Sequence, residues 1–213
     1  MSLKLSVLLP NFETDFNKNV NLEIKKVISK NISKTLSRVE TRLQDRVRTL
    51  ISDSEEVSSI RNGELQGQLG IVLTGGIDVI IDQFSKSVNV QYLPKGKFGT
   101  IVIRIINSDY SDVLSLPESF YSYSETDGRG GIIEWLRWLL LEGRSTIVAG
   151  YDFQPGAEGR TNKGMMVKMQ NGGWSIPSRF AGTANDNFVT RSLMNIDKDI
   201  ESIIRQEITK GFK

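Results

Sequence analysis

Six basic residues at four-residue steps, Lys26, Lys30, Lys34, Arg38, Arg42 and Arg46, are the most regular set of chemically capable side chains in the sequence. Cations on such a spacing can hold phosphates or an acidic protein surface. The charge is local. Between Lys25 and Arg48 eight Lys or Arg stand against Glu40 and Asp45, a net +6, so the remainder of a chain of charge +2 carries −4. A solvated helix face explains the pattern too, since Lys and Arg are ordinary helix formers. A four-residue step drifts round a helix, so the stripe wraps instead of tracking one line. No aromatics interleave with it, which argues against base stacking.

The second set is the glycine-rich stretch from Gly156 to Gly164, which carries Arg160 and Lys163. It invites a phosphate-binding reading and fails it. Lys163 is followed by Gly, and a strand is predicted next where a P-loop needs a helix. A basic hairpin tip that touches a neighbour or DNA fits better. The carboxylates Asp127, Glu134, Asp152 and Asp186 are scattered. An acid pair or a divalent-metal site would need them to converge, whereas N-cap and surface roles need nothing further. The chain has no Cys and no His. Disulfides, thiol catalysis, imidazole general bases and imidazole or thiolate metal sites are therefore excluded. No catalytic residue, metal or cofactor is expected, and the chain is not expected to be an enzyme. Trp135 and Trp138 fall within one turn of an apolar helix and read as core. Trp174, in the turn leading to Phe180, reads as a plug at a sheet end or an interface anchor.

The basic stripe belongs to a helix predicted over 19–52. Ile28, Ile32, Leu36, Val39, Leu43, Val47 and Leu50 recur at steps of three and four on another face. Such a helix is about 50 Å long, more than a small core needs, so it is expected to dock on the rest of the chain and a neighbour. Before it, Leu3–Leu9 reads as a short strand or an arm that packs on a neighbour, ended by Pro10. After it, 52–63 reads as a polar connector or frayed end. A short helical turn is predicted at 64–69 and a helix at 77–85, capped by Thr74 or Gly76. A hairpin follows, with Val88, Val90 and Tyr92 alternating, a turn at Pro94-Lys95-Gly96-Lys97, and a central strand over 100–106. A short helix at 110–116 and, at 120–123, a short strand or an extended loop come next. Gly130-Gly131 then precede a helix from Ile132 to Glu142, stopped by Gly143. Two strands at 146–151 and 165–169 flank the glycine-rich loop. A closing helix starts at 185–187, capped by Asp186 or Asn185, with a stripe from Val189 to Ile208.

The expected fold is a single α+β domain over 1–213: a small, mostly antiparallel sheet packed by helices, with a long N-terminal helix and an amphipathic C-terminal helix. Its parts are an arm at 1–18, the long basic helix at 19–52 and a sheet-and-helix core at 77–210. No signal peptide or transmembrane run is visible, so no membrane role is expected and the protein should be made in the cytosol.

The stretch Gly173-Trp174-Ser175-Ile176-Pro177-Ser178-Arg179-Phe180-Ala181-Gly182-Thr183, continuing through Asp186-Asn187-Phe188 and Thr190-Arg191, resembles a segment of virion proteins of tailed bacteriophages. Glu134-Trp135-Leu136-Arg137-Trp138 and the residues to Gly143 are similar as well. The resemblance runs from about 131 to 210 and points to the neck, or tail-completion, class. It implies a structural protein, forming a homo-oligomeric ring at the head–tail junction of the virion, between portal-side connector and tail proteins, with possible contact to DNA in the lumen. On that expectation the stripe and the Arg160–Lys163 loop contact partners or DNA, and Trp174 and Phe180 serve as anchors. Glu replacements at Lys30, Lys34, Arg38 and Arg42 should then impair joining or DNA retention and leave the fold intact. The rivals are a tail-terminator ring, a DNA-binding protein using the basic helix, and a metal-dependent hydrolase built on the carboxylates.

Overall fold

The computed structural model describes residues 18–93, 100–124, 130–143, 145–157 and 159–211, with side chains of the first helix described from Ile32 onward. The arm at Leu3–Leu9, the turn at Pro94–Lys97 and Asp127 lie outside those residues. The architecture is mixed helix and strand, with small antiparallel sheets, a long N-terminal helix and a C-terminal helix. The chain groups into two compact units. One comprises 1–47, 85–107 and 195–213; the other comprises 48–84 and 108–194.

In the first unit, helix α1 (Lys18–Ser52) buries Leu36, Val39, Leu43 and Val47 along one stripe. Strands β1 (Asn89–Leu93) and β2 (Thr100–Arg104) pair antiparallel, with Val90 opposite Ile103 and Tyr92 opposite Ile101. Val90, Ile101 and Ile103 are buried while Gln91 and Arg104 are exposed, so the hairpin has one covered face. That corrects the expectation of a central strand: β2 pairs only with β1 among the described residues. The Glu40 carboxylate accepts the Val90 amide at 2.8 Å, and the Ser85 hydroxyl donates to the Gln44 carbonyl at 3.0 Å. The first bond ties β1 to α1, and the second ties the end of helix α4 (Gly76–Lys86) to it.

The second unit begins with the end of α1, where Ile51, not Leu50, is fully buried. The supposed connector is then a helix. The Ser54 hydroxyl accepts the Val57 amide at 3.3 Å and caps helix α2 (Glu55–Asn62), which buries Val57 and Ile60. Two apolar residues three apart are enough to seat one turn pair, and the polar ones around them hid it. Helices α3 (Glu64–Gln68) and α4 (Gly76–Lys86) lie where predicted, and the part of α4 in this unit buries Ile77, Ile80, Ile81 and Phe84. Helix α5 (Ser111–Leu114) follows Tyr110, and Tyr110 and Phe188 both pack edge-on against Phe84, with ring centroids 6.3 and 6.4 Å away.

Strands β3 (Tyr121–Ser124) and β4 (Gly130–Ile133) form a second ribbon. Gly130-Gly131 thus continue into a strand, Ile132 is 64% exposed, and helix α6 covers only Trp135–Leu140. Trp135, Leu136, Leu139 and Leu140 are buried, as the spacing required. The third ribbon joins β5 (Val148–Pro155) to β6 (Gly164–Trp174), both longer than predicted.

The closing helix is broken in two. Asn187, not Asp186 or Asn185, caps helix α7 (Phe188–Ser192) in a reciprocal capping box with Thr190. Helix α8 (Ile196–Gly211) then starts afresh in the first unit, with Asp197 and Asp199 in its first turn. Acids at a helix N-terminus are favourable, and Asn195 is a poor interior residue, so a break there costs little.

Candidate functional site

The basic stripe is engaged with its own chain. The Glu207 side chain on α8, only 4% exposed, accepts Arg38 Nε at 2.9 Å and Arg42 Nη1 at 3.0 Å, with Lys210 Nζ at 3.2 Å. Arg42 also donates to Gln206 Oε1 at 3.0 Å, and Arg46 Nε meets Asp199 at 2.9 Å. Burial pushes the Glu207 carboxyl up, but hydrogen bonds from Arg38, Lys210 and Arg42 outweigh that and hold it below the usual glutamate value. Arg38, Arg42 and Arg46 therefore form a charged seam that docks α8 on α1. Lys34 is exposed, and the side chains of Lys26 and Lys30 lie outside the described residues. The expectation that Glu at Arg38 and Arg42 would spare the fold is thereby corrected. It would put carboxylates against a buried carboxylate.

The glycine-rich loop is also held within its unit. Arg160 donates to the Gly70 carbonyl, and its guanidinium stacks 4.3 Å from the Tyr121 ring centroid. Tyr121 in turn donates to the Leu69 carbonyl at 2.6 Å, and Lys163 Nζ donates to the Asn62 carbonyl at 3.1 Å. Gly67 permits this approach, since a Cβ there would lie 2.8 Å from Lys163 Cβ. Gly159, at φ +90°, closes the tip.

Trp174 is 4% exposed and packs edge-on against Trp138, 6.3 Å between centroids. Phe180 is 1% exposed beneath the Arg179 guanidinium. Both are core residues within this unit. Around them the segment from Gly173 to Arg191 is dense with structural duties. A Cβ on Gly182 would lie 2.1 Å from the Leu139 carbonyl oxygen. Asn187, fully buried, donates to Tyr110 Oη at 2.9 Å, Leu140 O at 3.3 Å and Thr183 O at 2.9 Å, and accepts the amides of Val189 and Thr190. Burial pushes the Tyr110 hydroxyl above its ordinary value despite the Asn187 bond. Arg191 reaches the buried Glu56 at 2.6 Å and Asp186 at 3.0 Å.

Among the described residues the remaining candidate carboxylates form no metal-ligating group. Glu134 and Asp152 are exposed, Asp152 accepts its neighbour's amide at 2.9 Å, and Asp186 is paired with Arg191. Among the described residues no three acidic side chains gather as metal ligands, and no helix is long and apolar enough to cross a membrane.

One surface went unnoticed in the sequence. The second unit carries an open groove of about 810 Å³ with Ile71, Val72, Leu73, Val79, Phe120 and Trp135 along it. Val72, Leu73 and Val79 are 52, 84 and 44% exposed. The Trp135 indole N–H is turned to the Glu118 carbonyl at 3.0 Å. The sequence signal was Ile71-Val72-Leu73 between Gly70 and Gly75-Gly76, an apolar run assigned to no element. A contiguous exposed apolar surface marks an interaction site. Comparison with known protein families, curated proteins and solved structures finds no match for this chain.

Proposed function

We propose that this chain is a structural virion protein of a tailed phage, part of the neck that connects the DNA-filled head to the tail, and that it works by binding geometry. The observation that supports this reading best is the apolar groove with the 84% exposed Leu73 among its lining residues, a surface of the kind that marks an interaction site. The phage-like segment adds to it. Gly182, Asn187, Thr190 and Arg191 all hold the unit together, which is what a recurring structural motif would require. The rival DNA-binding helix is disfavoured, because Arg38, Arg42 and Arg46 already meet Glu207 and Asp199. In the virion the chain would form a ring between portal-side connector and tail proteins.

Electron microscopy of a lysate from phage carrying an early stop codon in this gene tests the proposal. Full heads beside separate, normal tails are expected. Abnormally long tails would replace the neck role with that of a tail-terminator ring. Intact particles would overturn both.

A further inference from the structure

We propose that Asn171 is a site of spontaneous modification, where the chain converts its own asparagine to isoaspartate and aspartate through a cyclic imide, with water as the only co-reactant. The proposal stands apart from the neck reading and needs neither a second copy nor a partner.

The reaction requires the backbone nitrogen of the next residue to swing onto the asparagine side-chain carbonyl carbon. Glycine suits that role, since it puts no side chain in the way and leaves the backbone free to turn. The sequence holds two such pairs, Asn62-Gly63 and Asn171-Gly172. The fold treats them differently. Asn62 ends helix α2, the Gly63 amide donates to the Ser59 carbonyl at 2.8 Å, and the Asn62 carbonyl accepts Lys163 Nζ at 3.1 Å. A Cβ on Gly63 would lie 2.8 Å from Ser59 Cα, so the backbone is hemmed in there as well. The attacking nitrogen is already engaged, and it cannot swing without breaking that hydrogen bond.

Asn171-Gly172 lies in a gap of the third ribbon. Tyr151 pairs with Lys168 and Ala149 with Gly173, so Met169, Gln170, Asn171 and Gly172 together face the single residue Gly150. Four residues against one make an enlarged bulge, whose surplus residues fall outside the ladder. Gly172 sits at φ +105°, and a Cβ built on it would meet nothing within 4 Å. Asn171 is exposed, and among the described residues no hydrogen bond holds its side chain. Gly173 is the fixed end, since a Cβ there would lie 2.8 Å from the Val148 carbonyl oxygen.

The Gly172 nitrogen gives its proton to solvent base and attacks Asn171 Cγ. A new C–N bond forms, the Cγ–Nδ2 bond breaks, and the side-chain nitrogen takes a proton from solvent and leaves as ammonia. Water then opens the ring. Opening at the main-chain carbonyl leaves isoaspartate, and opening at Cγ leaves aspartate; nothing is oxidised or reduced. Either product adds a negative charge to the ribbon, and isoaspartate also lengthens the backbone by one atom. A bulge outside the ladder takes up that atom without shifting the pairs at Tyr151 and Ala149.

The test holds the full chain in mildly alkaline buffer, with and without urea, and samples it over days. Peptides around 62 and 171 are read by mass spectrometry with fragmentation that tells isoaspartate from aspartate. In the folded chain Asn171 should convert at least about tenfold faster than Asn62, the factor that a locking hydrogen bond of ordinary strength supplies. In urea the two rates should converge, because the residue pair is the same. Isoaspartate should be the larger product at 171, and Asn171→Gln should abolish conversion there. Asn62 reacting as fast as Asn171 in the folded chain would overturn the proposal, as would an Asn171 that converts only in urea. Aspartate without isoaspartate would mean that water attacks the side chain directly, and would overturn the imide step.

Discussion

The seam between α1 and α8 and the groove beside Leu73 treat polarity in opposite ways. At the seam, charges turn inward: Glu207 is buried under Arg38, Arg42 and Lys210. At the groove, apolar side chains turn outward: Leu73 is 84% exposed. In sequence the seam looked like the binding surface and the groove looked like nothing. The difference teaches that a charge stripe says only that a partner exists, and the partner can be sixteen residues at the other end of the same chain. An exposed apolar run has no such internal answer. Burying a charge needs a matched charge, whereas covering Val72 and Leu73 needs only surface, which another molecule can supply.

The sharpest way to break the comparison is at the seam. Replacing Arg38 and Arg42 together by Glu should have the largest effect, lowering both the helical signal and the urea midpoint. A variant as stable as the parent would mean that the seam is not what docks α8. Next comes Asn187→Ala, within the unit that carries the groove. It removes a helix cap and strips partners from buried carbonyls, so a loss of about 2–4 kcal/mol is expected in urea unfolding.

Acid sharpens the comparison further. Because the Glu207 carboxyl is held below its ordinary value, its contribution is complete above the unfolded value and is lost as pH falls through the depressed one. The urea midpoint of the parent should therefore drop more between pH 7 and pH 3 than that of Glu207→Gln. Equal drops would remove Glu207 as the titrating contact. The smallest effect on stability belongs to the groove. Leu73→Asp should change unfolding free energy by no more than about 0.5 kcal/mol, as exposed sites do, while abolishing head–tail joining.

Much of the fold was legible because helical periodicity is a strong signal. The stripe Leu36, Val39, Leu43 and Val47 is buried as its spacing required, and so is the Trp135–Leu140 face. What was missed had local causes. Helix α2 buries only four residues, two of them polar, and its Ser54 cap looked like connector chemistry. Gly130-Gly131 were expected only to precede a helix and instead open strand β4, because glycine identity does not reveal pairing. The closing helix broke at 193–195, where one continuous apolar stripe concealed the interruption. The site was less legible still. Residue type picks out the cations, but which carboxylate faces them depends on the fold: Glu207 lies 169 residues from Arg38.

The most direct measurement is complementation of the stop-codon phage with two folded variants, Leu73→Asp and Lys34→Glu. Leu73 stands for the apolar groove and Lys34 for the exposed remainder of the basic stripe. Unjoined heads and tails with Leu73→Asp, and normal particles with Lys34→Glu, are the expected result. Full joining with Leu73→Asp and failure with Lys34→Glu would contradict it, and would return the function to the basic helix.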